Sequence, residues 1–129
     1  MKLLFELRPV EHLDASVDYY RDLGLYPLSW PDDETVLLGS DRSEPPTLML
    51  VRDPVESALR SGAIYEVGDV DTFYAQHLDL DWLVPPTDRS TGRYAVFADR
   101  TGTAVRLLDY RPYDLRAVGR GRPALAAVS

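Results

Sequence analysis

The feature that most constrains the fold of this 129-residue chain is an internal repeat with one constant offset. Two segments have the apolar spacing of an amphipathic helix: one opens at Asp14 and stops at Gly24, and the other opens at Asp71. The two aspartates are interpreted as helix caps, and the offset from Asp14 to Asp71 defines the repeat. The same offset aligns Leu7 with Ile64, Val10 with Val67, Asp22 with Asp79, Leu23 with Leu80, Leu48 with Val105, and Leu50 with Leu107. One ungapped shift that aligns helices and strands indicates two copies of one structural unit.

Each copy is predicted to form a strand, a helix and then three strands. In the first copy, the pattern of apolar residues and turns predicts strands over 2–8, 25–30, 34–38 and 47–52. In the second copy it predicts a strand over 63–67, a helix over 71–79, and strands over 81–84, 93–98 and 103–110. Residues 54–62 link the copies, with room for one helical turn. The predicted fold class is therefore α+β. A single domain over 1–110 is made of two βαβββ modules, about 1–53 and 62–110. A basic tail over 111–129 follows, and it is expected to be flexible or to lie on a partner.

Composition and charge limit the possible partners. The chain has no cysteine, which excludes disulfides, thiolate zinc sites and cysteine nucleophiles and suits a reducing cytoplasm. No apolar run has the length of a membrane span, so we expect a cytoplasmic protein with no membrane partner. Residues 1–110 carry ten basic and twenty acidic side chains. Because an acidic body repels phosphate backbones, we expect no nucleic-acid partner. A cationic or neutral small ligand fits the charge better. The alternative is that the surplus of acidic side chains is only solubilising surface charge.

Two segments carry a family resemblance. Residues 14–25, DASVDYYRDLGL, and residues 92–108, GRYAVFADRTGTAVRLL, resemble the two signatures of the vicinal oxygen chelate (VOC) superfamily. This superfamily includes glyoxalase I, extradiol dioxygenases, fosfomycin-resistance enzymes and bleomycin-resistance proteins. The resemblance extends over about residues 2–110. It implies the glyoxalase/bleomycin-resistance fold, in which each module curls into half of a cup-shaped mixed sheet and the ligand sits inside.

The resemblance also implies where a divalent metal would bind: His, Gln or Glu at the starts of the first and fifth strands, and Glu at the ends of the fourth and eighth. In this sequence the four positions hold Phe5, Gly62, Met49 and Arg106. None of them offers an imidazole or a carboxylate, and an arginine is a fixed cation. If the register is shifted by one residue, Glu6 takes the metal position on the first strand. The same shift does not supply ligands in place of Gly62 and Arg106 as well. His12 precedes the first helix and His77 lies late in the second, so we expect no metal and no other cofactor.

Strand alternation around these four positions predicts a mostly apolar cavity with two opposite charges, Glu66 and Arg106. The predicted ligand-binding residues are Phe5, Leu7, Trp30, Met49, Ile64, Glu66, Trp82, Tyr94, Arg106 and Leu108. Four aromatic residues are expected at the rim, with core or dimer-interface packing as the alternative: Trp30, Trp82, Tyr94 and Tyr110. Because a buried charge is costly when alone, Glu66 and Arg106 should pair with each other or hold a ligand.

Three kinds of function fit these features. The leading hypothesis is a metal-free protein that binds a small organic molecule, similar to the drug-sequestering bleomycin-resistance type, and that forms a homodimer. The second is a VOC-type enzyme, such as a lyase, an isomerase or a dioxygenase-like protein, which uses metal ligands in another register or Glu66 as a base beside Arg106. The third is a structural or regulatory subunit whose cup is filled by its own side chains.

Overall fold

The computed structural model of the protein describes residues 1–111. The tail predicted for 111–129 therefore lies outside the described residues, except for its first residue. The described residues divide into two compact units: the first unit comprises Phe5–Ser61, and the second unit combines Met1–Leu4 with residues 62–111. Within residues 1–111, no helix is both long enough and apolar enough to cross a membrane.

The first unit contains the strands and helix of the first βαβββ module, except for residues 2–4 at the start of its first strand. In chain order these are β1 (Lys2–Pro9), α1 (Leu13–Asp22), β2 (Tyr26–Asp32), β3 (Thr35–Gly39) and β4 (Leu48–Val51). The strands follow the order β2-β3-β4-β1 across the sheet. β1 runs parallel to β4, whereas the β2–β3 and β3–β4 pairs are antiparallel. The parallel pair is possible because α1 and the two following strands lie between β1 and β4 in the chain.

The second unit repeats this topology after a short helix. α2 (Pro54–Leu59) begins after Asp53, whose carboxylate accepts hydrogen bonds from the backbone N–H groups of Val55 and Glu56. The elements that follow are β5 (Gly62–Glu66), α3 (Val70–Gln76), β6 (Asp81–Arg89), β7 (Gly92–Ala98) and β8 (Ala104–Tyr110). Their order is β6-β7-β8-β5, with β5 parallel to β8 and the other pairs antiparallel. The predicted α+β class with two βαβββ modules is confirmed.

The strand register preserves the sequence repeat. Leu7 pairs with Met49 between β1 and β4, and Ile64 pairs with Arg106 between β5 and β8. The offset that relates Leu7 to Ile64 in the sequence is the same as the offset that relates Met49 to Arg106. The third strand of each module departs from this offset. Its residue opposite Met49 is Leu37, and the residue opposite Arg106 is Val96, which is two positions beyond the repeat equivalent of Leu37. The chain between these register partners is therefore two residues longer from Leu37 to Met49 than from Val96 to Arg106.

Each helix covers one face of its own sheet with an apolar core. In the first unit, Leu13 and Val17 of α1 belong to a buried cluster with Val36, Leu38, Leu48 and Leu50. In the second unit, Val70 of α3 belongs to a buried cluster with Val67, Ala95, Phe97 and Leu107. These packed helix–sheet layers leave the opposite face of each sheet to the residues of the predicted site.

Two details of the sequence prediction are corrected by the structure. The helix caps are His12 and Asp69 rather than Asp14 and Asp71, which lie in the first turns, where their charge favours the helix dipole. Of His12 and Asp69, only Asp69 caps through its side chain, by accepting a hydrogen bond of 3.0 Å from the Thr72 backbone N–H. The predicted strand over 81–84 is also too short. β6 continues to Arg89 through two prolines, which an outermost strand tolerates because one side of it needs no ladder hydrogen bonds.

Gly92 is a position where only glycine fits. It begins β7 with a φ of 141°, and a Cβ atom built on it would lie 1.8 Å from the carbonyl oxygen of Asp109 on β8. Gly102, in the connection to β8, also has a positive φ, of 85°, but open space surrounds it. Gly92 therefore sets how closely β7 and β8 approach at this end of the hairpin.

Candidate ligand-binding site

The candidate site in the second unit is the sheet face opposite α3, which we call the Arg106 face. Leu107, Ala95 and Phe97 pack beneath α3, and side chains alternate along a strand. The opposite face is therefore formed by Ile64, Glu66, Tyr94, Val96, Arg106 and Leu108. Five of the predicted ligand-binding residues thus share this face, and Val96 is an addition to them.

The strand register places these residues in two rows across the sheet. One row runs from Val96 through Arg106 to Ile64, and the next runs from Tyr94 through Leu108 to Glu66. All of them are buried except Glu66, which is half-buried. Arg106 is 0% exposed and lies between Val96 and Ile64, which are also almost completely buried. The face is thus an apolar floor with a permanent positive charge at its centre.

The guanidinium of Arg106 extends along its strand towards Gly62. A Cβ atom built on Gly62 would lie 2.9 Å from Nη1 of Arg106, which is closer than real Cβ contacts allow. Gly62 comes two residues before Ile64, the register partner of Arg106, and so lies on the same face of β5. The glycine therefore provides the space that the guanidinium needs.

Glu66 lies on the other side of Ile64 along β5, two residues further on. Because the guanidinium points towards Gly62, it points away from Glu66. Within the part of the chain that the structure describes, no salt bridge or hydrogen bond joins these two side chains. Arg106 does take part in another interaction in the molecule. The mutual Glu66–Arg106 ion pair, one of the two alternatives from the sequence, is thus not formed.

The first unit has an equivalent face opposite α1, which we call the Met49 face. It carries Phe5, Leu7, Leu37 and Met49, of which Leu7, Leu37 and Met49 are placed by the register of β1, β3 and β4. All four are buried, with exposed fractions of 5% or less. Met49 is the repeat equivalent of Arg106, so a neutral thioether stands in one unit where a guanidinium stands in the other.

Trp30 and Trp82 adopt core packing, the alternative to the rim position expected from the sequence. Trp30 packs against the core cluster beneath α1, and Trp82 packs against the cluster beneath α3. The indole N–H of Trp82 donates a hydrogen bond of 2.9 Å to the carbonyl oxygen of His77. Both tryptophans therefore lie on the helix-covered faces. The register of β2 and β6 shifts at irregular positions, so simple alternation fails along these two strands.

One contact of the site was missed because β6 was predicted to end at residue 84. The Arg89 guanidinium lies over the ring of Tyr94, with Cζ 5.2 Å from the ring centroid. This distance is typical of a cation–π interaction. A second positive charge thus borders the Arg106 face. The sequence signal for this contact was the segment 87–89, Thr-Asp-Arg, which follows the two prolines and continues β6 as an outer strand.

A separate open depression of about 400 Å³ lies on the first unit, between the end of β1 and α1. Its lining residues are Val10, Glu11, His12, Ala15, Ser16, Tyr19 and Tyr20. His12 and Glu11 are almost fully exposed. His77, the other histidine, stacks on Phe73 at 4.2 Å and contacts its carbonyl oxygen through Nδ1. Neither histidine lies on the Arg106 face or the Met49 face.

The residues at the four family positions do not fit a divalent metal. Phe5 and Gly62 have no donor atom in their side chains, Met49 offers only a thioether, and Arg106 is a cation. The close approach of Arg106 Nη1 to Gly62 places positive charge where a metal ligand on β5 would extend. Among residues 1–111, no group of three or more His, Cys, Asp or Glu side chains is arranged to hold a metal ion.

Solved structures share this fold at low sequence identity. A structure described as the NAD-dependent benzaldehyde dehydrogenase from Legionella pneumophila aligns with a TM-score of 0.65 and 17% identity, over 83% of this chain and 98% of that chain. A glyoxalase/bleomycin resistance protein/dioxygenase superfamily member from Vibrio splendidus 12B01 aligns with a TM-score of 0.55 and 19% identity, over 80% and 94% of the two chains. The Mn(II)-bound glyoxalase from Novosphingobium aromaticivorans aligns with a TM-score of 0.54 and 18% identity, over 84% of this chain but only 39% of that one.

No family model and no curated protein matches the chain by sequence. Because the identities of these three structures do not exceed 19%, the similarities concern the fold. They agree with the two βαβββ units and with the two sequence signatures. The chain therefore has the fold of the vicinal oxygen chelate superfamily, to which glyoxalases, bleomycin-resistance proteins and extradiol dioxygenases belong.

Proposed function

We propose that this protein is a metal-free, cytoplasmic binding protein for a small organic molecule, acting in sequestration of a drug or metabolite. The observation that carries the proposal is the replacement of a metal-binding position by Arg106, a buried cation on an otherwise apolar floor. Apolar surfaces with a few fixed polar groups are typical of small-molecule sites. Such a site holds a ligand without metal chemistry.

Each unit carries its own proposed binding surface. The Met49 face contributes the predicted residues Phe5, Leu7 and Met49, and the Arg106 face contributes Ile64, Glu66, Tyr94, Arg106 and Leu108. Their apolar members are buried, so a ligand must compete with the contacts that bury them. Glu66 and Gly62, which are half-buried, mark the accessible border of the Arg106 face. We also propose that the protein functions as a homodimer.

An alternative function is an enzyme of the VOC type. Glu66 supports it, because this half-buried carboxylate lies on the same face as Arg106 and makes no ion pair with it within the described residues. A carboxylate in this position can act as a general base, and a guanidinium can stabilise an oxyanion that develops on the substrate. Of the similar structures, the glyoxalase from Novosphingobium aromaticivorans is Mn(II)-bound.

A thermal-shift screen tests the binding proposal. The panel contains neutral, cationic and anionic small aromatic and aliphatic molecules, each measured with the full chain in the presence of a chelator. Binding proteins gain stability as ligand occupancy rises, so at least one class should raise the Tm in a concentration-dependent way. If no compound does so, the binding proposal is wrong. Catalytic turnover that disappears in Glu66→Gln, with no effect of chelator, would instead support the metal-free enzyme.

A further inference from the structure

We propose that the open depression between the end of β1 and α1 binds a small organic ammonium ion that carries an apolar or aromatic body. We call this surface the Tyr19 depression. It has a volume of about 400 Å³ and lies within the first unit. A volume of this size is typical of small-molecule sites. The depression shares no residue with the Met49 face or the Arg106 face, so this site does not depend on the proposed function.

The concave shape follows from the spacing of side chains along α1. Most of the lining residues succeed one another at intervals of three and four positions, which places them on one stripe of a helix: His12, Ala15, Ser16, Tyr19 and Tyr20. The side chains in the middle of this stripe are small, whereas both ends carry rings. The two residues that follow β1 close the remaining side. The depression is therefore a space between large side chains, with Ala15 and Ser16 as its floor.

The ring of Tyr19 is the apolar wall that a ligand can reach. Tyr19 is 63% exposed, and its ring meets the ring of Tyr20 edge to face, with the centroids 5.3 Å apart and the planes at 86°. Tyr20 already has a cationic partner, because the Arg8 guanidinium lies over its ring and donates a hydrogen bond to its hydroxyl. At its high exposure, Tyr19 retains open ring surface for a ligand.

The charge around the depression favours a cation. Glu11 lines it, and this side chain is 93% exposed, so its carboxylate is accessible to a ligand. α1 adds three exposed aspartates and one exposed arginine. The positive charge of Arg8 is offset by Glu6, whose carboxylate accepts a hydrogen bond of 3.1 Å from it. The N-terminus of α1 carries roughly half a positive charge, which opposes a cation, but Asp14 in the first turn offsets it.

These features together define the ligand class. An ammonium group is attracted by the carboxylate of Glu11 and by the negative face of the Tyr19 ring, and the rest of the ligand covers apolar surface on Tyr19 and Ala15. A carboxylate in the same position is repelled by Glu11. Because both recognition groups are exposed to water, each contributes modestly, and we expect weak binding that decreases as salt screens the charges.

An NMR titration of the isotope-labelled full-length chain tests the inference, because changes in amide chemical shift locate even a weak ligand residue by residue. Three probes of similar size differ in charge: benzyltrimethylammonium, benzyl alcohol and benzoate. We expect benzyltrimethylammonium to shift the amide signals of residues 10–20, to bind more tightly than the other two probes, and to bind less tightly at high salt. Absence of any shift in residues 10–20, or equal affinity for benzoate, overturns the inference.

Two variants remove the charge and the ring separately. Glu11→Gln and Tyr19→Leu should each weaken the binding of benzyltrimethylammonium by about two- to fivefold, the range of an exposed ion pair or an exposed cation–π contact. Tyr19→Phe keeps the ring and should retain the wild-type affinity. Glu44→Gln and Tyr26→Leu are the matched controls, because both residues are exposed in the first unit and lie outside the depression. They should also bind as the wild type does.

The outcomes that overturn the inference differ in what they indicate. Unchanged affinity in Glu11→Gln or Tyr19→Leu removes its basis, and an equal loss in a control variant indicates only a general attraction of cations to the acidic chain. Shifts confined to residues of the Met49 face or the Arg106 face also overturn it, but they support the proposed function. If Tyr19→Leu converts a dimer into a monomer in light scattering, a second copy of the chain covers the depression and the inference is wrong.

Discussion

Replacing Gly92 by alanine should destabilise the second unit far more than the same change at Gly102. Both glycines have positive φ angles, so both substitutions strain the backbone by about 1–2 kcal/mol. At Gly102 nothing lies within 4 Å of the new Cβ atom, and the strain is the whole cost. Gly102→Ala is therefore the matched control.

The additional cost at Gly92 follows from the 1.8 Å approach of its Cβ position to the carbonyl oxygen of Asp109. Real Cβ atoms essentially never come within 3.0 Å of another atom, so β7 and β8 must move apart at this end. The separation disrupts the Gly92–Tyr110 pairing and the 2.8 Å hydrogen bond from the Arg111 N–H to the Thr91 carbonyl oxygen. Two lost hydrogen bonds add about 1–3 kcal/mol, for a total of about 2–5 kcal/mol.

Urea denaturation of the two variants and the wild type measures this difference. We expect Gly92→Ala to lower the free energy of unfolding by about 1–3 kcal/mol more than Gly102→Ala, with similar m-values. Equal losses in the two variants would refute the reasoning, because the close contact with Asp109 would then contribute nothing.

Three further predictions concern metal, assembly and pH. A chelator or added Mn²⁺ should leave the Tm unchanged, since Phe5, Met49, Gly62 and Arg106 supply no ligand set; a chelator-induced drop of several degrees contradicts this. Light scattering should give twice the 14.5 kDa chain mass, and a monomer at high micromolar concentration rules out the proposed homodimer. Hydrogen bonds from the Thr101 hydroxyl, and from the backbone N–H groups of Thr101 and Thr103, lower the pKa of Asp99 below its ordinary value of 3.8. The stabilisation that Asp99 provides is therefore complete above pH 3.8 and is lost as the pH falls through the folded-state pKa of Asp99. The difference in Tm between the wild type and Asp99→Ala should shrink over that pH range.

The sequence predicted the two modules because their repeat is expressed in the backbone register. One constant offset relates the Leu7–Met49 pair to the Ile64–Arg106 pair, and strand alternation then follows from the regular parallel pairs. Phe5 and Gly62 are accordingly on the faces expected for them, whereas Tyr94, which was expected at the rim, is buried on the Arg106 face. For these strands, knowing one inward-facing residue is enough to assign its neighbours.

The rest could not be predicted because it depends on local irregularities. Alternation breaks at the register shifts of β2 and β6, and this moved Trp30 and Trp82 to the helix-covered faces. The direction of the Arg106 side chain depends on the space at Gly62, which a one-dimensional pattern does not contain. Glu66 and Arg106 can share a face and still not pair, because a long side chain can extend in either direction along its strand.

The prolines of the two outer strands have a consequence for the behaviour of the protein at high concentration. β2 contains Pro27 and Pro31, and β6 contains Pro85 and Pro86. An outer strand with a full set of N–H groups is a template for strands of other molecules, which is how many proteins begin to polymerise. Each proline removes one of these donors and resists a flat, regular ladder. Copies of this protein are thereby hindered from joining edge to edge along β2 or β6, and amyloid-like growth from these edges is disfavoured even in a crowded solution.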